Sequence, residues 1–200
     1  MVYFPIAELD TLEKSKGSNL MEISKPTKED LREAYGKHVP DVIKSELKVL
    51  FCGINPGLYS AYIGHHFGRP GNRFWKVIHQ AGFTPRLFSP YEDDMLLDLG
   101  YGITNLVERA TANASELTKE ELHQGGKALE AKVHQYQIQT VAILGVGAYR
   151  AAFYQPGANI GKQIQKFGDS DLWVLPNPSG LNAHFKIPEL IKIYHQLLQI

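Results

Sequence analysis

The sequence predicts an α/β fold in three layers, a central, mostly parallel β-sheet flanked by helices. Three observations point there. The runs Leu47–Cys52, Thr140–Val146 and Asp171–Asn177 are apolar nearly throughout instead of alternating. Strands covered on both faces read this way. Helical patterns lie between these runs, the order expected when parallel strands are joined by crossovers. The last two runs each close on Gly or Pro, so the chain turns sharply where they end.

Taken in order, the residues before about Thr27 show no sustained periodicity, and "KSKGSN" reads as a flexible lead-in. "TKEDLREAYG" predicts a short helix with Thr27 as cap, Asp30 three residues on, and Gly36 near its end. Residues 1–46 are expected to form an N-terminal extension and residues 47–200 the functional domain. "NRFWKVIHQAG" gathers Phe74, Trp75, Val77, Ile78 and Ala81 on a broad helical face. "SPYEDDMLLDLG" offers Ser89 as cap, Pro90 at the first helical position and Glu92 to complete a capping box. The longest helix is expected over "TKEELHQGGKALEAKVHQY", with the Gly125–Gly126 pair weakening its middle. The last helix starts at Pro188.

The chain has 200 residues, of which 44% are hydrophobic, enough for one domain with a sizeable core. No apolar run approaches the roughly 18 residues of a membrane span, and "MVYFPIAELD" lacks the pattern of a secretory signal. The lone cysteine, Cys52, excludes an internal disulfide and multi-cysteine clusters, and fits a reducing cytoplasm. Net charge is zero, which argues against binding nucleic acid through bulk electrostatics. The charge is uneven, however. Arg69, Arg73, Lys76 and Arg86 cluster with three histidines, and Glu92, Asp93, Asp94 and Asp98 follow.

Ligands of parallel sheets bind beyond the strand C-termini, which directs attention to the loops after Phe51, Val146 and Leu175; three segments carry candidate chemistry. In "FCGINPGLYS", Gly53 and Gly57 allow close backbone approach and Pro56 stiffens the turn. Asn55 has two readings there: a turn residue capping backbone groups, or an amide whose oxygen orients a water. A phosphate cradle is disfavoured, because no Gly-Lys-Ser or Gly-Lys-Thr follows. In "GHHFGRPGNRFWK", the adjacent His65 and His66 lack metal-ligand spacing. Phe67 is either core or a stacking platform for a planar base. Phe74 and Trp75 read as core, and Arg73 and Lys76 as solvated or helix-pairing. In "LPNPSGLNAHF", two prolines and Gly180 stiffen a loop with Leu181 at its polar tip. That leucine is either unremarked surface or a wedge for a base stack. No GxSxG elbow surrounds Ser179. The run Glu92–Asp94 reads first as helix-terminal carboxylates, with a catalytic role held in reserve.

Four motifs in order, "GINPG", "GHHFGRPGNRFWK", "GITNLVERAT" and "LPNPSGLNAHF", resemble the mismatch-specific uracil-DNA and thymine-DNA glycosylases, across roughly residues 47–195. The resemblance implies a uracil-DNA-glycosylase-like fold. It also implies a monofunctional enzyme without cofactor or metal that extrudes a base from duplex DNA and hydrolyses its N-glycosidic bond. It makes Asn55 the residue that orients the attacking water. Phe67 stacks on the base, backbone at Ile54 and Phe67 lies near its polar edge, and Asn105 contacts it. Leu181 is the wedge; Gly180, Asn177 and Ser179 face the opposite guanine or the backbone, and Asn182 belongs to the same DNA-binding loop. The chain departs from the pattern at two positions. His184 stands where bacterial relatives carry Arg, and Ser60 stands where a small alanine helps the thymine-removing branch. Uracil is therefore the expected base, ahead of thymine.

The expected partner is double-stranded DNA containing G·U or G·T mismatches, with no membrane contact. The protein is expected to be monomeric, cytoplasmic and associated with the bacterial nucleoid. Three alternatives stay open at this stage. One is a glycosylase of another branch working through a carboxylate near Asp93. Another is a non-catalytic module that binds mismatches or abasic sites. The third is a small-molecule hydrolase using the glycine-rich loop.

Overall fold

A computed structural model describes residues 25–199. Five strands form one sheet: β1 (Val49–Gly53), β2 (Tyr101–Asn105), β3 (Thr140–Leu144), β4 (Gly161–Phe167) and β5 (Ser170–Leu175). Their spatial order is β2-β1-β3-β5-β4. All neighbours are parallel except β4, which runs antiparallel to β5 at the edge. The helices are α1 (Lys28–Glu33), α2 (Leu58–Ile63), α3 (Phe74–Gln80), α4 (Lys119–Gln135), α5 (Val146–Ala152) and α6 (Ile187–His195).

The apolar runs have the cause expected of them. Successive strand residues point to opposite faces, and here both faces are covered. Val49, Phe51, Ala142, Leu144, Trp173 and Leu175 enter one core with residues of α3 and α6. Leu50, Cys52, Val141, Ile143, Leu172 and Val174 enter a second core with residues of α4 and α5. Burial pushes the Cys52 thiol far above its ordinary pKa, so it is unreactive packing.

The capping boxes form as expected at Thr27–Asp30, Ser89–Glu92 and Thr118–Glu121. The segment after Ser89, however, is a 3-10 helix over Pro90–Leu99, kinked at Glu92. The Gly125–Gly126 pair does not interrupt α4. A Cβ on Gly125 would collide with the Leu106 carbonyl, and one on Gly126 would lie 3.0 Å from the Phe153 ring. The glycines set how closely α4 packs. Two strands escaped the sequence reading. β2 contains Gly102 and Asn105, poor strand formers, and β4 is a polar, irregular edge strand. Helices α2 and α5 were also missed; both are short, six and seven residues.

The "KSKGSN" segment lies outside the described residues. Val39, Val42 and Leu47 are buried, and Val42 exchanges backbone hydrogen bonds with Ile103 at 2.9 and 2.8 Å. No helix among the described residues is long and apolar enough to cross a membrane.

Candidate active site

The C-terminal ends of β1, β2 and β5 open into a cleft of about 410 Å³. Asn55, Ile54, Ser60, Phe67, Asn105, Asn177, Ser179, Leu181 and Asn182 line it. Gly180 and His184 stand outside the lining, on the same loop as Leu181. Among the described residues, no Asp or Glu lines the cleft and Arg69 is its one formally charged residue.

The hydrogen bonds of Asn55 fix which way its amide faces. Nδ2 donates to the Arg109 carbonyl at 3.0 Å and to Thr111 Oγ1 at 2.8 Å. A carbonyl oxygen can only accept, so the NH2 end must lie on that side. The Thr111 hydroxyl donates to the Asn113 carbonyl at 2.9 Å, leaving a lone pair for Asn55. Both amide hydrogens are therefore used, and Oδ1 is the end left for the cleft. The support behind it is firm. Val107 N–H bonds the Ile54 carbonyl at 2.9 Å, and Thr111 N–H bonds the Pro56 carbonyl at 3.2 Å. Arg109 is held by Glu121 through two hydrogen bonds, at 2.5 and 3.1 Å. The Arg109 and Thr118 hydrogen bonds bring the Glu121 carboxyl down to about 2, so the pair stays ionised at ordinary pH.

Phe67 has φ of 52°, unusual for a residue with a side chain. The turn is held on both sides. His66 N–H donates to Asp93 Oδ2 at 3.1 Å, and Gly68 N–H donates to the buried Ser60 hydroxyl at 3.0 Å. Phe74 stacks on the Phe67 ring, centroids 3.9 Å apart and planes inclined at 22°. Phe67 is thus a platform backed by a second ring. Local strain of this kind persists where its surroundings enforce it.

Asn105 ends β2 in parallel register with Gly53. A Cβ on Gly53 would strike the Asn105 side-chain oxygen, so glycine is needed for Asn105 to sit there. His66 is the partner behind it. His66 Nε2 faces the Pro40 carbonyl at 2.9 Å and must carry the proton there. Burial holds the ring's pKa below its ordinary value, which keeps it neutral. Nδ1 is then a lone-pair acceptor, 3.4 Å from the Asn105 Nδ2.

Asp93, the reserve carboxylate, is buried but does not line the cleft. Its oxygens receive His65 Nδ1 at 3.0 Å and the His66 N–H. It braces the loop. The roles of His66, Thr111 and Arg73 were not legible in the sequence. Thr111 lay inside a quoted motif without an assigned task. Arg73, read as solvated or helix-pairing, instead grips backbone carbonyls more than 100 residues away. No side-chain pattern announces partners of that kind.

Leu181 is 69% exposed at the cleft rim. Side chains within its loop make part of the bracing. Asn177 Oδ1 accepts the Ser179 N–H at 2.9 Å, and Asn182 Nδ2 donates to the Asn177 carbonyl at 2.9 Å. A Cβ on Gly180 would lie 2.7 Å from the Gly71 carbonyl, so this loop rests directly on the segment leading into α3. No group of three or more metal-ligating side chains occurs among the described residues.

The family model of the uracil DNA glycosylase superfamily matches residues 40–199. The chain is also similar to a solution NMR structure from Methanosarcina acetivorans, provisionally described as a uracil DNA glycosylase. The TM-score is 0.55 at 19% identity, over 82% of this chain and 98% of that one. The likeness extends to the sheet and its flanking helices. With the family model spanning all five strands and the loops around the cleft, the chain belongs to the uracil DNA glycosylase superfamily.

Proposed function

We propose that this chain is a monofunctional glycosylase that removes uracil, and less readily thymine, from G·U and G·T mismatches in double-stranded DNA. One observation carries the reading: an asparagine amide with both hydrogens anchored and its oxygen left to a cleft that no carboxylate lines among the described residues.

Extruding a base costs a few kcal/mol, least when it is mispaired. Leu181, exposed and apolar at the rim, fills the gap in the stack. The base lies on Phe67, and its polar edge meets Asn105, whose amide is steadied by neutral His66. As the C1′–N1 bond breaks, its electron pair stays with the base. Polar donors around the base oxygens stabilise that developing charge. A water held by Asn55 Oδ1 adds its oxygen to C1′, and the proton it gives up is taken by the departing base anion, leaving neutral free base and an abasic site. An amide orients this water without being able to take that proton, so turnover is slow and depends on the mismatch to present the base. Ser60 lines the cleft with its hydroxyl held by the Gly68 N–H, and it stands where a small alanine helps the thymine-removing branch, which supports uracil ahead of thymine.

The reading is tested by incubating the protein with G·U, G·T, A·U and single-stranded uracil substrates and scoring alkali-labile sites. The expected order is G·U first, then G·T, with A·U and single strands weak. Tight G·U binding without strand scission after alkali would replace it with the non-catalytic module.

A further inference from the structure

One guanidinium organises the loop that carries Leu181. Arg73 stands at the N-cap of α3. Its Nε donates to the Pro178 carbonyl at 3.1 Å and its Nη1 to the Phe185 carbonyl at 2.7 Å. Nη2 donates to the carbonyls of Ser179 at 2.6 Å and Asn182 at 3.0 Å. The Arg73 backbone N–H adds a bond to the Pro178 carbonyl at 3.2 Å. Among the described residues Arg73 forms no ion pair. Its charge is directed instead at four carbonyl dipoles, all between Pro178 and Phe185.

This segment contains no helix or strand. Four carbonyls converging on one point repel each other unless a cation sits among them. With the carbonyls turned inward, the Leu181 side chain is left outward. Only a planar fork of five donors reaches four acceptors so placed. A lysine ammonium offers three donors from a single point.

We propose that Arg73 is a positioning residue that locks the 178–185 loop before DNA arrives, so that Leu181 is presented already in place. The cost of ordering the loop is then met on folding and not on binding. The inference rests on the reading of Leu181 as a wedge, and its test has one arm that does not.

In the DNA-free protein, Arg73→Lys raises amide hydrogen exchange across residues 179–185 by about tenfold or more while β1 and β3 keep their protection. Arg73→Gln, a second variant retaining one NH2 group, gives the same pattern. Unchanged exchange in the loop overturns the clamp, as does equal loosening of loop and strands. The second arm is a double-mutant cycle, single-turnover cleavage of a G·U duplex by Arg73→Lys, Leu181→Ala and the pair. Arg73→Lys slows cleavage about tenfold, and the pair is no slower than Leu181→Ala alone, because Arg73 acts through the leucine. Losses that multiply overturn the proposal. A wild-type protein inactive on uracil DNA removes the functional reading, and the exchange arm still decides the clamp.

Discussion

Two loops face each other across the cleft, and they are built in opposite senses. The loop after β1, with the 64–68 turn beside it, carries polar groups inward: Ser60, His66 and Asn105 are buried around it. The loop after β5 turns its carbonyls inward onto Arg73 and leaves Leu181 exposed. Both leave the same edge of the same sheet. The first makes a receptacle and the second a probe. In each, the working side chain is fixed by hydrogen bonds behind it: Asn55 through its own NH2 to the Arg109 carbonyl and the Thr111 hydroxyl, and Leu181 at second hand through the carbonyls that Arg73 holds. The difference teaches that chemistry and extrusion are separable here, so substitutions on the two sides should fail in different ways.

The largest separation is expected between Asn55→Ala and Leu181→Ala. Losing the water-orienting group slows glycosidic cleavage by about 100-fold or more with duplex affinity unchanged. Losing the wedge weakens duplex affinity and slows cleavage by about tenfold, since extrusion costs only a few kcal/mol. Binding and single-turnover assays on the same G·U duplex check both. If both variants lose binding and rate together, the division between receptacle and probe collapses.

Two glycines sharpen the division further. Gly53→Ala places a methyl against the Asn105 side-chain oxygen and pushes that amide off His66. Gly180→Ala forces the wedge loop off the Gly71 carbonyl. Overpacking of this kind costs about 1–3 kcal/mol. The expected result is a roughly tenfold cleavage loss with normal binding for Gly53→Ala, and weakened binding for Gly180→Ala. Gel-shift and cleavage assays on both variants separate the outcomes.

The smallest effect is a pH dependence confined to the receptacle. Burial holds the folded-state pKa of His66 below the ordinary histidine value of about 6.5. Above 6.5 neither state takes the proton, and the contribution to stability is complete. As pH falls below that, the unfolded chain binds a proton that the folded chain refuses. Stability then declines until pH reaches the folded pKa. Protonation at Nδ1 also removes the acceptor for Asn105. Melting temperatures between pH 8 and 5 should fall on the acid side in wild-type protein and fall less in His66→Gln.

How much of this was legible follows from where the signals live. The three central strands were readable because both faces are buried, which leaves unbroken apolar runs such as Val141–Leu144. β4 was not, because an edge strand holding Gln163, fully exposed Ile164 and Lys166 carries no such mark. The capping boxes were readable because partner and cap lie three residues apart. At the site, Asn55, Phe67 and Leu181 stood out as side chains in loops and the resemblance assigned their roles, whereas Asn105 entered only through the resemblance, because β2 carries no clear strand signal. His66, Thr111 and Arg73 did not stand out, because their partners are distant backbone carbonyls or groups joined only by folding. Asp93 was visible as a carboxylate, but its engagement by His65 and His66 was not.

The central claim is that an amide, and not a carboxylate, serves the chemistry. Single-turnover cleavage of a G·U duplex by Asn55→Ala and by Asp93→Asn, measured side by side, tests it most directly. The account predicts that Asn55→Ala loses about 100-fold or more, while Asp93→Asn, which weakens a brace behind the Phe67 turn, keeps most of its rate. Full activity in Asn55→Ala with activity abolished in Asp93→Asn would contradict it.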